Sequence, residues 1–108
     1  QDVVNKYVLE TAVRTHLQSD ETPWIDTALT EFPQLPAREQ EIAHLLAASY
    51  DSAYIAKTLG LSKGSVDNTI SRIYTRLGLT DMKTETPSLR PLPILIKACF
   101  LYDIQHSS

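Results

Sequence analysis

Three residues constrain the middle of this chain: Ala56, Gly60 and Val66. Ala56 is small, so two helices can cross closely at it. Gly60, four residues on, can take a positive φ and turn the chain sharply. Val66, six further, is a β-branched wedge for the angle between the helices. Ile55, Leu59, Leu61 and Ile70 close a core around them. Asp51 and Ser62 stand where N-caps belong, because their side-chain oxygens can accept the free amides of a first turn. This order of small residue, glycine and β-branched residue predicts a helix-turn-helix, in which a short turn makes the second helix project. The alternative is two ordinary core helices joined by a glycine turn.

The flanking segments also read as helical. Val4, Val8, Ala12, Val13 and Leu17 recur at helical spacing, which predicts a helix over 3–17. "QSDETP" ends it. Thr22 then caps a short helix with Pro23 at its first position, and Trp24, Ile25, Ala28, Leu29 and Phe32 form one face. "FPQLP" reads as a two-proline linker. A helix over 37–48 follows, with Ile42, Leu45, Leu46 and Ser49 on one side. Helices over 52–59 and 62–77 form the helix-turn-helix, stopped by Gly60 and Gly78. "TDMKTETPSLRPLP" is a polar connector. The last helix, over 93–105, is apolar on more than one side through Ile94, Ile96, Cys99 and Phe100. It either packs on the N-terminal helices or joins two copies of the chain. No segment alternates like a strand, so the fold class is all-α: a helix-turn-helix domain over 35–79, an N-terminal helical extension over 1–34, and a connector with C-terminal helix over 80–108.

Composition narrows the chemistry. A length of 108 residues suits one small core, and 43% apolar with 21% charged content is globular. Cys99 is the only cysteine, so neither an internal disulfide nor a thiolate zinc site can form. The longest apolar run is interrupted by Pro93 and Lys97 and is too short to span a bilayer. No signal peptide is seen, so a soluble, cytoplasmic chain is expected. Gln1 in place of Met suggests a piece of a longer protein with a sensing domain before it. His16, His44 and His106 have no ligand spacing, and no strand-turn-helix elbow frames a nucleophile. With three glycines and no glycine-rich loop, a nucleotide site is not indicated either. Neither catalysis, a metal nor a cofactor is expected.

The net charge of −3 conceals a division. Residues 1–51 carry three cations against nine acids, whereas 52–76 carry Lys57, Lys63, Arg72 and Arg76 against Asp67 alone. Local charge governs attraction to a polyanion, since salt screens beyond roughly 8 Å. The one cationic segment therefore contains the projecting helix.

The run over 35–79 resembles the LuxR/NarL (GerE-like) helix-turn-helix domain. The resemblance rests on Leu35, Arg38 and Glu39 at the opening and on Ile55 and Ala56 in the middle. Leu59, Leu61 and Ser62 match at the turn, Val66 in the second helix, and Ile73, Arg76 and Leu77 at its end. It implies a four-helix domain, bacterial transcription control, and dimers on paired half-sites of double-stranded DNA. The departures lie on the surface: Pro36 replaces a threonine, Asp67 a lysine, Thr69 a histidine, and Ala53 a frequent basic residue. Pro36 is closer to region 4 of sigma factors, a second reading with RNA polymerase as partner. A third reading is a helix-turn-helix turned to protein contact.

The candidate DNA-binding residues are Ser62, Lys63, Ser65, Asp67, Asn68, Ser71, Arg72, Thr75 and Arg76. Lys63, Ser65 and Arg76 suit phosphate. Asn68 suits adenine and Asp67 the cytosine amino group. Ser71, Arg72 and Thr75 extend the same face. Tyr50, Tyr54 and Tyr74 flank the motif, with hydroxyls able to reach phosphate or to pack with exposed tips.

Overall fold

The computed structural model describes residues 8–11 and 20–106. Its elements, in chain order, are α1 (Thr22–Glu31), a 3₁₀ turn (Phe32–Gln34), α2 (Ala37–Ala47), α3 (Ser52–Leu59), α4 (Lys63–Arg76), α5 (Met82–Glu85) and α6 (Pro91–His106). Residues 8–11 are helical, and most of the helix expected over 3–17 lies outside the described residues. No strand occurs among the described residues, in keeping with the all-α expectation.

Local chemistry fixes where the central helices start and stop. Asp51 accepts the Tyr54 amide at 2.8 Å to start α3, and Ser62 accepts the Ser65 amide at 3.1 Å to start α4. Each of α2, α3 and α4 ends on one left-handed residue, after which an amide reaches back five positions. At Gly60 (φ 70°) the Leu61 N–H donates to the Ala56 carbonyl at 2.8 Å. At Gly78 (φ 75°) the Leu79 N–H donates to Tyr74 at 2.8 Å. At Ser49 (φ 78°) the Tyr50 N–H donates to Leu45 at 3.2 Å. Ser49 is thus an exposed turn residue, not the inward helical position its spacing suggested. The helix stops two residues earlier, and the same carbonyl-capping geometry is imposed on a residue that carries a Cβ.

The helix-turn-helix stands against a helical support. α3 and α2 both pack on α4, and α6 lies against α1 and α2. Ile42, Ile55, Val66, Ile73 and Leu77 are fully buried at the junction, each worth about 1.5–3 kcal/mol in area removed from water. One continuous core joins these to Ile25 and Phe32 before the motif and to Ile94, Leu95 and Leu101 after it. Phe32 lies between the rings of His44 (5.3 Å) and Tyr102 (4.7 Å). "FPQLP" is therefore not a linker: its 3₁₀ turn buries Phe32, and Leu35 follows it into the core.

Other expectations shift for similar reasons. Thr22 is the first residue of α1 rather than its cap; the preceding Glu21 is buried and paired with Lys97 of α6. Leu61 is 37% exposed and does not join the core, since the turn carries it past the helix crossing. Leu59 and Ile70 are half-buried. The connector contains α5, pinned by fully buried Met82, while Thr86 accepts the Trp24 indole N–H at 3.2 Å. α6 begins at Pro91, and packing on α1 and α2 occupies Ile94, Leu95, Ala98, Leu101 and Ile104.

Two outcomes are expected. Ser49→Gly removes the left-handed strain and raises stability by up to about 1 kcal/mol, after glycine's extra chain entropy is deducted. Gly60→Ala lowers it by about 1–2 kcal/mol. No atom lies within 4 Å of the added Cβ, so that loss is backbone alone. Urea midpoints at unchanged m-value measure both, and a destabilised Ser49→Gly variant would refute the capping account. Cys99 is buried, and burial, then the Asp103 charge, pushes its thiol up to about 12. A disulfide reagent at neutral pH should modify it only as fast as the chain unfolds.

Candidate nucleic-acid interface

α4 divides sharply between its two sides. Val66 and Ile73 are fully buried, with Ile70 and Tyr74 half-buried beside them, and burial raises the Tyr74 phenol above its ordinary value. All nine residues singled out from the sequence — Ser62, Lys63, Ser65, Asp67, Asn68, Ser71, Arg72, Thr75 and Arg76 — are exposed. The spacing of the apolar positions and the cap at Ser62 together set this rotation of the helix.

Exposure does not mean that these side chains are free. Lys63 Nζ lies 3.0 Å from Asp67 Oδ2, an i,i+4 pair. The Lys63 ammonium, and then the nearby Ser52 hydroxyl in the first turn of α3, hold the Asp67 carboxyl below the usual carboxylate range. Arg72 Nη1 lies 3.3 Å from Glu39 Oε2, and Arg76 Nη1 3.4 Å from Glu39 Oε1. The Thr75 hydroxyl donates to the Ser71 carbonyl at 3.1 Å and pairs with Thr80. Ser62 and Ser65 bond to each other at 2.9 Å. Asn68 and the Ser71 hydroxyl make no such bond among the described residues. One helical turn apart, they offer a free amide and a free hydroxyl on the outer surface of α4.

Glu39 is the residue beside this face that the sequence reading did not single out for the site. Its side chain is 5% exposed, whereas those of Arg72 and Arg76 are 52% and 46% exposed. Oε1 is close enough for an ion pair but makes no directed hydrogen bond. The ion-pair distance is the better guide there, because Coulomb attraction tolerates misalignment that a hydrogen bond does not. The signal available was an acid in the first turn of α2, where a solvated surface position is the ordinary expectation. Only the fold brings it beneath two arginines more than thirty positions away.

This pairing changes the charge argument. Of the four cations that made 52–76 basic, Lys63, Arg72 and Arg76 face carboxylates within the chain, while Lys57 makes no ion pair among the described residues. Each arginine still presents several N–H donors to solvent, so the pair remains usable for phosphate or base contacts, but its field is reduced.

Residues 33–84 match the family model described as bacterial regulatory proteins, luxR family (GerE). This segment is a LuxR-family helix-turn-helix domain. Searches of curated proteins and of solved structures returned no match. The match to the LuxR-family domain starts at Pro33, inside the 3₁₀ turn, and runs through α2, α3 and α4 into α5. No cluster of His, Cys, Asp or Glu among the described residues could hold a metal ion, and no described helix is long and apolar enough to cross a membrane.

Breaking the buried pair should be costly. Glu39→Gln is expected to lower stability by about 1.5–3 kcal/mol, the range for hydrogen bonds to charged groups. Asp67→Asn, on the exposed flank, should have a much smaller effect. Equal effects in parallel urea melts would show that Glu39 is not the anchor of α4.

Proposed function

We propose that the chain is a transcriptional regulator whose α4 lies in the major groove of double-stranded DNA. One observation carries this reading: in a LuxR-family domain, the outer face of the second motif helix is wholly exposed, with Asn68 and Ser71 uncommitted at its centre. The major groove admits a helix and presents donor and acceptor patterns that such side chains read. Asn68 is assigned to adenine, with Ser71 and Arg72 beside it at base edges. Lys63, Ser65 and Arg76 are assigned to phosphates, and Ser62 and Thr75 flank the contact. Asp67 is assigned to holding Lys63 rather than to reading cytosine, because that ion pair already engages its carboxylate within α4.

A homodimer on paired half-sites belongs to the same proposal. Most of α6 is covered by α1 and α2, and the most exposed large apolar residue it leaves outward is Phe100, 51% exposed. Its ring is the contact assigned to the second copy.

Fluorescence anisotropy with a labelled duplex at low and at physiological salt tests the reading. Affinity should fall steeply with salt, and absence of binding at both would reject it. Arg72→Ala should weaken binding to a selected site by about 1–3 kcal/mol more than to random duplex if Arg72 reads a base. Asp67→Lys removes the internal partner of Lys63 and adds a cation. The log–log salt slope should steepen by about 0.9 for each further phosphate that is neutralised. Sedimentation of Phe100→Asp against the parent chain checks the dimer.

A further inference from the structure

Beside the start of α4 lies an open groove of about 390 Å³. Leu46 of α2, Ile70 of α4 and Leu92 of α6 give it an apolar floor. Tyr50 forms one wall and is stacked on Tyr54, ring centroids 4.4 Å apart and planes 17° from parallel. Asp51 and Asp67 stand on the polar side, and no lysine or arginine lines the groove. Of the seven large apolar side chains exposed among the described residues, Tyr50, Tyr54 and Leu92 belong to this one place. The left-handed Ser49 lies at its edge. Aromatic surface, apolar floor and strained turn are therefore concentrated together, whereas singly scattered apolar side chains would carry no meaning.

The chemistry of the lining selects the occupant. Two carboxylates repel the phosphates of a nucleic acid, and an apolar floor offers a polyanion nothing. A guanidinium suits every part of the lining. Its plane stacks on a tyrosine face, its donors fit carboxylates in pairs, and its stem lies on aliphatic surface. We propose that this groove docks an arginine-bearing apolar segment of a partner protein. The partner's arginine meets Asp67 on the side away from Lys63 and stacks on Tyr50, while a neighbouring aliphatic residue covers Leu92 and Ile70. This accounts for a carboxylate at position 67 on an otherwise basic helix. It goes beyond the DNA reading: the acidic flank at Asp51 and Asp67 takes protein, while Ser62, Lys63, Ser65 and the outer face from Asn68 to Arg76 are left to DNA. The Asp67 carboxyl, held below its ordinary range, stays ionised for this role at neutral pH.

The test is an amide-resolved NMR titration of the whole chain. The probe is a hexapeptide blocked at both ends, Gly-Leu-Arg-Leu-Arg-Gly, with Gly-Leu-Gln-Leu-Gln-Gly as its neutral counterpart. Saturable shifts are expected at Tyr50, Asp51, Asp67, Ile70 and Leu92 with the arginine peptide. Binding of the glutamine peptide should be weaker by about tenfold, the loss of one charge-assisted contact. Asp67→Asn and Tyr50→Ala should each weaken the arginine peptide by a similar factor. Unchanged shifts at the distant core residues Ile25 and Leu101 report that each variant is folded. Absence of saturable shifts, equal binding of the two peptides, or shifts lying elsewhere overturns the proposal. So does duplex DNA moving the groove amides and displacing the peptide, or chain concentration alone moving them, which would assign the groove to a second copy. DNA that fails to move Asn68 and Ser71 while the peptide binds would sink the DNA reading and leave this one standing.

Discussion

A carboxylate taken out of water is expensive to keep, by several kcal/mol, unless cations and donors meet it. Glu39 is in that position, at the first turn of α2, and Arg72 and Arg76 meet it from the last turns of α4. The pairing does more than offset a desolvation penalty. It couples the start of one helix to the end of another across the junction filled by Ile42, Val66 and Ile73, and so sets the rotation of α4 about its own axis. A different rotation would strand Glu39 without a partner and bring polar side chains onto the core. The outward direction of Asn68 and Ser71 follows from that constraint as much as from apolar spacing.

The same economy of charge shapes the surface. A reading helix ordinarily presents unpaired cations to a polyanion, yet here Lys63, Arg72 and Arg76 each face an acid of the chain. The two arginines keep outward donors, so their direction is fixed while their field strength falls. Lys63 and Asp67 instead form an exposed pair of the kind that contributes little to stability. Its interest lies in where it is: at the junction of α3 and α4, beside the Tyr50–Tyr54 stack. The two flanks of one helix thus carry opposite electrostatic characters within a few turns.

α1 and α6 stiffen this arrangement from behind. α6 is apolar around most of its girth because it serves two neighbours, α1 and α2, rather than one. The Lys97–Glu21 and His44–Asp103 contacts fasten it at each end of that packing, and Phe32 fills the space between His44 and Tyr102. The motif helices are therefore mounted on a support extending on both sides of the LuxR-family segment, with no break in the buried core.

The sequence by itself determined the class, the turn and the exposed face. Caps at Asp51 and Ser62, glycines at 60 and 78, and the Val66, Ile73 and Leu77 spacing all act within a few residues, so local rules suffice to read them. Tertiary structure alone decided the rest. "FPQLP" looked like a linker because prolines break helices, but Phe32 and Leu35 had a core waiting across the chain. Ser49 had the spacing of an inward residue and became a strained turn because α2 stops short of it. The basic look of 52–76 came from counting neighbours in sequence, whereas Coulomb attraction counts neighbours in space, and Glu39 arrives beneath Arg72 and Arg76 only when α2 docks against α4.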